Sequence, residues 1–369
     1  MERPIYQSIG TLALELDTPA LVLDLAAMQQ NIETLHGFFR QSPARVRPHV
    51  SCHQCPNIAR RQMAAGGTCG GIAVASVGEA QVFSDAGFTD ILVANQVVTP
   101  PKIRRLCALA RTSRISVAVD HPANVSLLSA IARDTDVTLR VLVEVEAGLG
   151  RCGVAPGSDA VGLARSVAGS PNLFFQGLMA YEGTLRCQTQ GELEAETRRR
   201  LQPVLETREL IEAAGLSVAT VSVGGTHNYD IAGAMPGVTE VQAGSYALMD
   251  YNYCRYRPEF RPAAKILTSV LSHPIPSRAV VDAGHKAVGP DLGVPVLEGA
   301  GGATATRFSA EHGILDLENQ AADGLTPNEK VWLVPFDLAL AVNQYDYFRA
   351  VQNNRLAGFW PIAARGRFD

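Results

Sequence analysis

The stretch Ala44–Arg60, with the sequence ARVRPHVSCHQCPNIAR, lies between a predicted strand and a predicted helix. Polar residues occupy its odd positions from 45 to 53, and valine, proline or cysteine occupies the even ones. Side chains two residues apart lie on the same side of a strand. The pattern therefore predicts that His49, Ser51 and His53 project together from the C-terminal end of the strand.

Outward from this stretch, short apolar strands alternate with helical segments from residue 16 to about residue 257. Leu12–Leu25 is predicted as the first strand, and apolar, β-branched runs such as Arg114–Asp120 and Val137–Glu146 follow. Repeated strand–helix units predict an α/β fold, a (β/α)8 TIM-like barrel, whose chemistry lies at the C-terminal ends of its strands. A doubly wound open sheet remains the alternative, because periodicity cannot show that a sheet closes.

The pattern changes after about Arg257. The runs ILTSVLSH, RAVVDAG, KVWLVP and FRAVQNN are predicted strands separated by turns, with almost no helical spacing between them. A chain of 369 residues is long enough for two domains. We therefore predict a barrel over residues 16–257 and a C-terminal β domain over residues 258–369, joined by residues 1–15.

Composition excludes several classes of partner. Hydrophobic residues make up 47% of the chain and charged residues 18%, with a net charge of −4 and no long basic run, which argues against nucleic acid. No apolar run reaches the roughly 20 residues that cross a bilayer. The N-terminus lacks the layout of a secretory signal, so a cytoplasmic location is expected. Seven cysteines, an odd number, indicate reduced thiols.

Two groups of small residues are candidate anion sites. Gly224-Gly225-Thr226 and Gly244-Ser245 lie at the ends of predicted strands, where backbone N–H groups can approach a phosphate. Tight turns explain glycines equally well. Near the barrel stretch, Cys52-x-x-Cys55 with its two histidines would suit zinc, but no second pair at matching spacing exists.

Motifs along nearly the whole chain resemble the D-threonine aldolase and D-serine dehydratase-like enzymes, which have the alanine racemase type of pyridoxal phosphate fold. Residues 48–54, PHVSCHQ, resemble the motif Pro-His-x-Lys-Thr-His-Lys of this family. By the resemblance, Ser51 stands where a lysine forms the Schiff base, and Gln54 replaces the second lysine. Further matching motifs follow in the same order: EVEAGLGRCGV, LMAYEG, VSVGGT, VTEVQAGSY, DAGHKAV and SAEHG.

The resemblance also implies roles for other residues. Arg151 would lie beneath the cofactor ring, Tyr181 would be an active-site tyrosine, and His312 would belong to a β-domain motif. The cofactor phosphate would be bound by residues 224–226 and by Gly244, Ser245 and Tyr246. A metal pair is expected after Val334-Pro335, but Asp337 and Ala339 stand at its positions, so we predict no metal there.

These features predict a divergent lyase that acts on a small polar substrate, either amino acid-like or phosphorylated, without a lysine imine. His49 and His53 are the expected acid–base groups, Arg151 the anion anchor and Tyr181 the proton donor, with Ser51, His312 and Asp337 as further candidates. Pyridoxal phosphate is expected to bind only non-covalently or through a substrate amine. The alternative is an inactive homologue that binds a phosphate-bearing ligand. A homodimer is expected, since the tyrosine-rich segments 251–253 and 345–348 would gain from burial.

Overall fold

The computed structural model describes residues 7–299, 301–318 and 325–369. The described residues form two compact units, one made of residues 35–51, 58–244 and 366–369 and the other of residues up to 34, 52–57 and 245–365. We refer to the first as the barrel unit and to the second as the strand-rich unit.

Strands and short helices alternate along most of the chain. In chain order the strands are β1 Ala20–Asp24, β2 Arg45–Val46, β3 Ile72–Val74, β4 Asp90–Gln96, β5 Arg114–Val119, β6 Leu139–Glu144, β7 Leu173–Met179, β8 Thr220–Val223, β9 Glu240–Val241, β10 Ala264–Ile275, β11 Arg278–Val281, β12 Val296–Glu298, β13 Ala303–Phe308, β14 Gly313–Leu317, β15 Lys330–Val334, β16 Tyr347–Gln352 and β17 Arg355–Pro361. The α-helices are α1 Leu25–Gln41, α2 Pro56–Ala64, α3 Val77–Asp85, α4 Pro100–Leu109, α5 Pro122–Asp134, α6 Ser158–Ala168, α7 Gln190–Ala213, α8 Tyr229–Ala234, α9 Tyr251–Cys254, α10 His285–Val288 and α11 Leu338–Val342.

The barrel unit is a parallel sheet with the strand order β2-β9-β8-β7-β6-β5-β4-β3. Isolated parallel bridges join Val46 to Thr68 and His49 to Ala73, so the first strand also meets the second and the ring closes. The predicted barrel is thereby confirmed. Small and apolar side chains from successive strands pack together inside the ring, among them Ala73, Leu92, Ala118, Leu142 and Met179.

The ring has a buried ionic network that joins Arg47, just after β2, to the first residues of β4 and β9. The Arg47 guanidinium donates to Glu240 Oε1 at 2.7 Å and to Asp90 Oδ1 at 3.1 Å, and all three side chains are less than 10% exposed. Burial opposes the charge on Arg47, but the Glu240 carboxylate and its neighbours outweigh burial and raise the arginine pKa. The network therefore holds the starts of β4 and β9 to the end of β2.

The strand-rich unit corrects one expectation. Leu12–Leu25 was expected to open the barrel, but β1 pairs antiparallel with β10 and parallel with β16 in the second sheet. An apolar five-residue strand has no feature that selects one sheet over another, and the long β10 supplies the partner. The domain boundaries that the sequence predicts, 16–257 and 258–369, stay a prediction. None of the described helices combines the length and apolarity needed to cross a membrane.

Candidate active site at the strand ends of the barrel

Several predicted site residues of the barrel unit lie just after the C-terminal ends of its strands. His49 follows β2, Tyr181 follows β7 and Gly224 follows β8, while Arg151 lies in the loop after β6. In barrels of this type, residues at these ends converge on one mouth. The barrel unit therefore brings part of the predicted set together.

His49 and Ser51 form a direct pair. The predicted strand ends early, and a 3₁₀ turn over Val50–Cys52 replaces the alternation of side chains. This turn brings Ser51 Oγ to 2.9 Å from His49 Nδ1. Burial, together with the charge of Arg151, lowers the pKa of His49 to about 4, so the ring is neutral at pH 7. A neutral imidazole that contacts a hydroxyl can accept its proton.

Arg151 is presented by a tight glycine turn. The carboxylate of Glu146 accepts the backbone N–H groups of Gly148 and Gly150, the latter at 3.1 Å. Both glycines have positive φ, +91° and +71°, which side chains rarely tolerate. The Arg151 side chain is 55% exposed, with its Nη2 3.9 Å from Glu144 Oε1 and its Cζ 5.5 Å from the centre of the Tyr181 ring. A solvent-facing guanidinium beside a phenol can hold a substrate anion.

Tyr181 connects the arginine to the loop after β8. Its ring packs edge-on against His227, with ring centres 6.4 Å apart, and its hydroxyl lies 3.4 Å from Thr184 Oγ1. A phenol hydroxyl can donate a proton, so Tyr181 is a candidate proton donor at this position.

The loop after β8 holds a buried carboxyl group that the sequence prediction did not place in the site. Glu182 is 1% exposed, and its Oε1 accepts the side-chain amide of Asn228. Burial outweighs this hydrogen bond and raises the pKa of Glu182 to about 7. His227 Nε2 lies 3.6 Å from Glu182 Oε1. A glutamate after an apolar strand gives no sequence signal of burial, since glutamate is mostly exposed.

Gly244 follows β9 and has a structural reason to be glycine. A Cβ at this position would lie 2.1 Å from the carbonyl oxygen of His49, whose N–H donates to Ala243 O at 3.0 Å. Close approach of the two backbones at this point fixes the position of His49. Thr226, the third residue of the other glycine group, is buried.

The remaining predicted residues lie in the strand-rich unit. His53 is fully buried, and its Nδ1 accepts the Cys55 N–H at 3.1 Å just before α2. Asp337 caps α11 by accepting the N–H groups of Ala339 and Leu340. Tyr246 is buried, with its ring centre 6.5 Å from that of Phe260. Ser245 begins a 3₁₀ turn.

His312 is exposed and lines a cavity of about 360 Å³ in the strand-rich unit. Asp282 and Tyr345 line the same cavity. Nowhere in residues 7–299, 301–318 and 325–369 do three or more His, Cys, Asp or Glu side chains form a group that could hold a metal ion.

Comparison with known proteins identifies the family. The alanine racemase N-terminal domain model matches residues 23–252, which is more than half of the chain. The chain belongs to the alanine racemase N-terminal domain family. A second model, "Putative serine dehydratase domain", matches residues 263–351. The predicted resemblance is thus confirmed.

Relatives of this alanine racemase-type chain are similar over nearly their whole length. A 3-hydroxy-D-aspartate aldolase of Paracoccus denitrificans (strain Pd 1222) is 35% identical over 96% of this chain and 93% of its own. A D-threonine aldolase of Arthrobacter sp is 35% identical over 95% and 93%. The crystal structure of a D-threonine aldolase from Filomicrobium marinum superposes with a TM-score of 0.94 at 36% identity, over 98% and 99%.

The alanine racemase type of fold implies pyridoxal phosphate, which needs a lysine for its imine. In the barrel unit, whose residues are all described, Lys102 is the one lysine, and it lies on α4 with its Nζ 3.5 Å from Phe368 O. The other lysines belong to the strand-rich unit, where each contacts a local side chain: Lys265 with Glu298, Lys286 with Glu311 and Lys330 with Ser269. The strand ends of the barrel therefore do not fit an imine-linked pyridoxal phosphate.

Proposed function

We propose that this chain is a lyase that cleaves a small, amino acid-like substrate by proton transfer through Ser51 and His49, without a lysine imine. The 2.9 Å contact between Ser51 Oγ and a neutral His49 ring carries the proposal. Similarity to aldolases over nearly the whole chain supports the reaction class. In this proposal Ser51 takes the position at which the family motif has a lysine.

The proposed reaction begins with the substrate anchored by its carboxylate on Arg151, whose guanidinium is exposed. The substrate hydroxyl gives its proton to Ser51 Oγ while the serine proton moves to His49. The carbon–carbon bond next to that hydroxyl then breaks, and the hydroxyl oxygen becomes a carbonyl. The electron pair of the broken carbon–carbon bond moves to the carbon that bears the carboxylate, and Tyr181 protonates that carbon. Solvent returns the proton from the imidazolium to the phenolate.

Without an imine, the substrate itself must take up the electron pair. The substrate class is therefore a small hydroxy acid whose own carboxylate or carbonyl group lies next to the breaking bond, where Arg151 can stabilise the charge. Amino acids with a 3-hydroxyl group carry a carboxylate on the carbon next to the breaking bond. This carboxylate can bind the Arg151 guanidinium.

The test is release of an aldehyde from 3-hydroxy-D-aspartate or D-threonine, measured with purified protein and no added cofactor. His49→Ala and Ser51→Ala should each lower kcat by roughly 10²- to 10⁴-fold, the usual contribution of a positioned acid or base. Ser126→Ala, at an exposed serine on α5, should leave the rate unchanged. Turnover that survives both site variants, or that appears only with added pyridoxal phosphate, would contradict the proposal.

A further inference from the structure

The glycine turn that presents Arg151 is held by an arginine of α7. Arg200 Nη1 donates to the carbonyl oxygen of Gly148 and, at 3.2 Å, to the carbonyl oxygen of Glu182. Gly148 belongs to the loop after β6, and Glu182 directly follows Tyr181 after β7. This guanidinium nitrogen has two N–H groups, so it can join the loop that carries Arg151 to the residue beside Tyr181.

The Arg200 side chain is itself fixed in position. Its Nε donates to Glu196 Oε1 at 2.7 Å, four residues earlier on the same helix, and the side chain is 23% exposed. A planar guanidinium held at Nε presents its other N–H groups in a fixed orientation. Arg199 donates to the same carboxylate, but its side chain is 68% exposed. The two neighbouring arginines therefore share a partner on α7, while the contacts with the two carbonyl groups belong to Arg200.

Small residues allow the guanidinium and the two loops to approach each other closely. A Cβ at Gly148 would lie 2.8 Å from Arg200 Nη1, and a Cβ at Gly183 would lie 2.8 Å from Leu149 Cδ1. Both glycines have positive φ, +91° and +80°. The loop after β6 and the loop after β7 therefore meet at two points, one through Arg200 and one through Leu149 on Gly183.

We propose that Arg200 is a positioning residue that holds Arg151 beside Tyr181 at the barrel mouth and so maintains the affinity of the site for a carboxylate. Arg151 is 55% exposed, with its Nη2 3.9 Å from Glu144 Oε1, so its position depends largely on the backbone that carries it. The inference deepens the proposed function, on which it rests, by naming the group that fixes its anion anchor.

The first measurement uses His49 as a reporter of Arg151. After burial, the charge of Arg151 contributes to the low pKa of His49. If Arg200→Ala releases the loop, this charge moves away, and the NMR titration midpoint of His49 should rise by about 0.5 pH unit or more, in the same direction as in Arg151→Ala. Arg199→Ala removes an equal charge and a bond to the same Glu196, so it is the matched control and should leave the midpoint unchanged.

A double variant shows whether Arg200 acts through Arg151. In the Arg151→Ala background the anchor is already absent, so the addition of Arg200→Ala should shift the His49 midpoint no further. Calorimetric titration with D-aspartate, which lacks the 3-hydroxyl group, measures the consequence for binding. Its dissociation constant should rise at least about tenfold in Arg200→Ala, which corresponds to about 1.4 kcal/mol, and should stay at the wild-type value in Arg199→Ala.

Three outcomes overturn the proposal. The first is a folded Arg200→Ala variant whose His49 midpoint equals that of wild type, and the second is an equal shift from Arg200→Ala with and without Arg151. The third is D-aspartate affinity that is absent in wild type or unchanged in Arg200→Ala. Arg200→Met, which keeps the aliphatic stem, serves if the alanine variant does not fold. Absence of aldehyde release would contradict only the proposed lyase activity, because the titration of His49 needs neither ligand nor turnover.

Discussion

The imidazole of His49 determines how the proposed reaction responds to pH. A solvated histidine has a pKa near 6.5, but burial and the nearby charge of Arg151 lower that of His49 to about 4. The ring therefore stays neutral, and able to accept a proton, across the range in which ordinary histidines become charged. We expect kcat/KM to stay constant between about pH 8 and pH 5 and to fall only near pH 4.

The same residue can be followed directly by NMR. The ring C–H resonance of His49, assigned by its loss in His49→Ala, should titrate near pH 4. The exposed ring of His285 serves as the internal comparison in the same spectra. A midpoint for His49 between pH 6 and 7 would show that the ring is not held neutral.

Glu182 should make the stability of the chain depend on pH in the opposite direction from an ordinary carboxylate. Burial raises its pKa in the folded state from 4.5 to about 7, so between these values the folded chain holds a proton that the unfolded chain has lost. Stability therefore falls as pH rises through this window, by about 3 kcal/mol in total. Glu182→Gln should remove the loss, so its advantage over wild type should grow between pH 5 and pH 8.

Urea unfolding of both proteins at the two pH values measures this difference. Glu194→Gln, on the exposed side of α7, is the matched control and should follow the wild-type curve. An advantage of Glu182→Gln that does not change with pH would show that Glu182 has an ordinary pKa.

At the level of elements, Arg47 stabilises the packing of the first residues of β4 and β9 against the end of β2. Removing this guanidinium in Arg47→Met leaves Glu240 and Asp90 buried with fewer partners, and breaking one side of a buried ion pair costs about 3–5 kcal/mol. Arg114 also contacts Asp90, but its side chain is 51% exposed. Arg114→Met should therefore cost at most about 1 kcal/mol. Equal losses of unfolding free energy in the two variants would contradict this assignment.

At the level of the whole molecule, the expected homodimer is a prediction that the strand-rich unit supports. Part of its tyrosine-rich surface packs within the chain, since Phe348 is fully buried and Tyr347 packs edge-on against Phe359. Apolar side chains nevertheless remain exposed elsewhere in the same unit, at Leu292 and Val294, which are 63% and 44% exposed. Exposed apolar residues of this kind are suited to an interface.

Light scattering should give twice the chain mass of 39.3 kDa for the wild-type chain. Val294→Glu should lower this mass toward that of one chain, because it introduces a charge into an apolar contact. Leu210→Glu, at an exposed site on α7, is the control and should leave the mass unchanged. A wild-type mass of one chain at micromolar concentration would refute the dimer.

The alternation of strands and helices and the family were predictable from the sequence, whereas closure of the barrel and the sheet that β1 joins were not. Repeated β-branched strands and helical spacings have local causes, and motifs in a fixed order identify a relative whatever their contacts. Positive φ at Gly148 and Gly150 is likewise a local requirement that favours glycine whatever the tertiary contacts.

Only the tertiary structure decided which residues meet. The turn at Val50–Cys52 joined Ser51 to His49 and left His53 on a backbone contact with Cys55, which strand alternation could not predict. Glu182 and Asn228 meet the Gly224 loop although 46 residues separate the two side chains. Burial and long-range hydrogen bonds depend on the whole fold, so the sequence of a loop does not decide which distant side chains meet it.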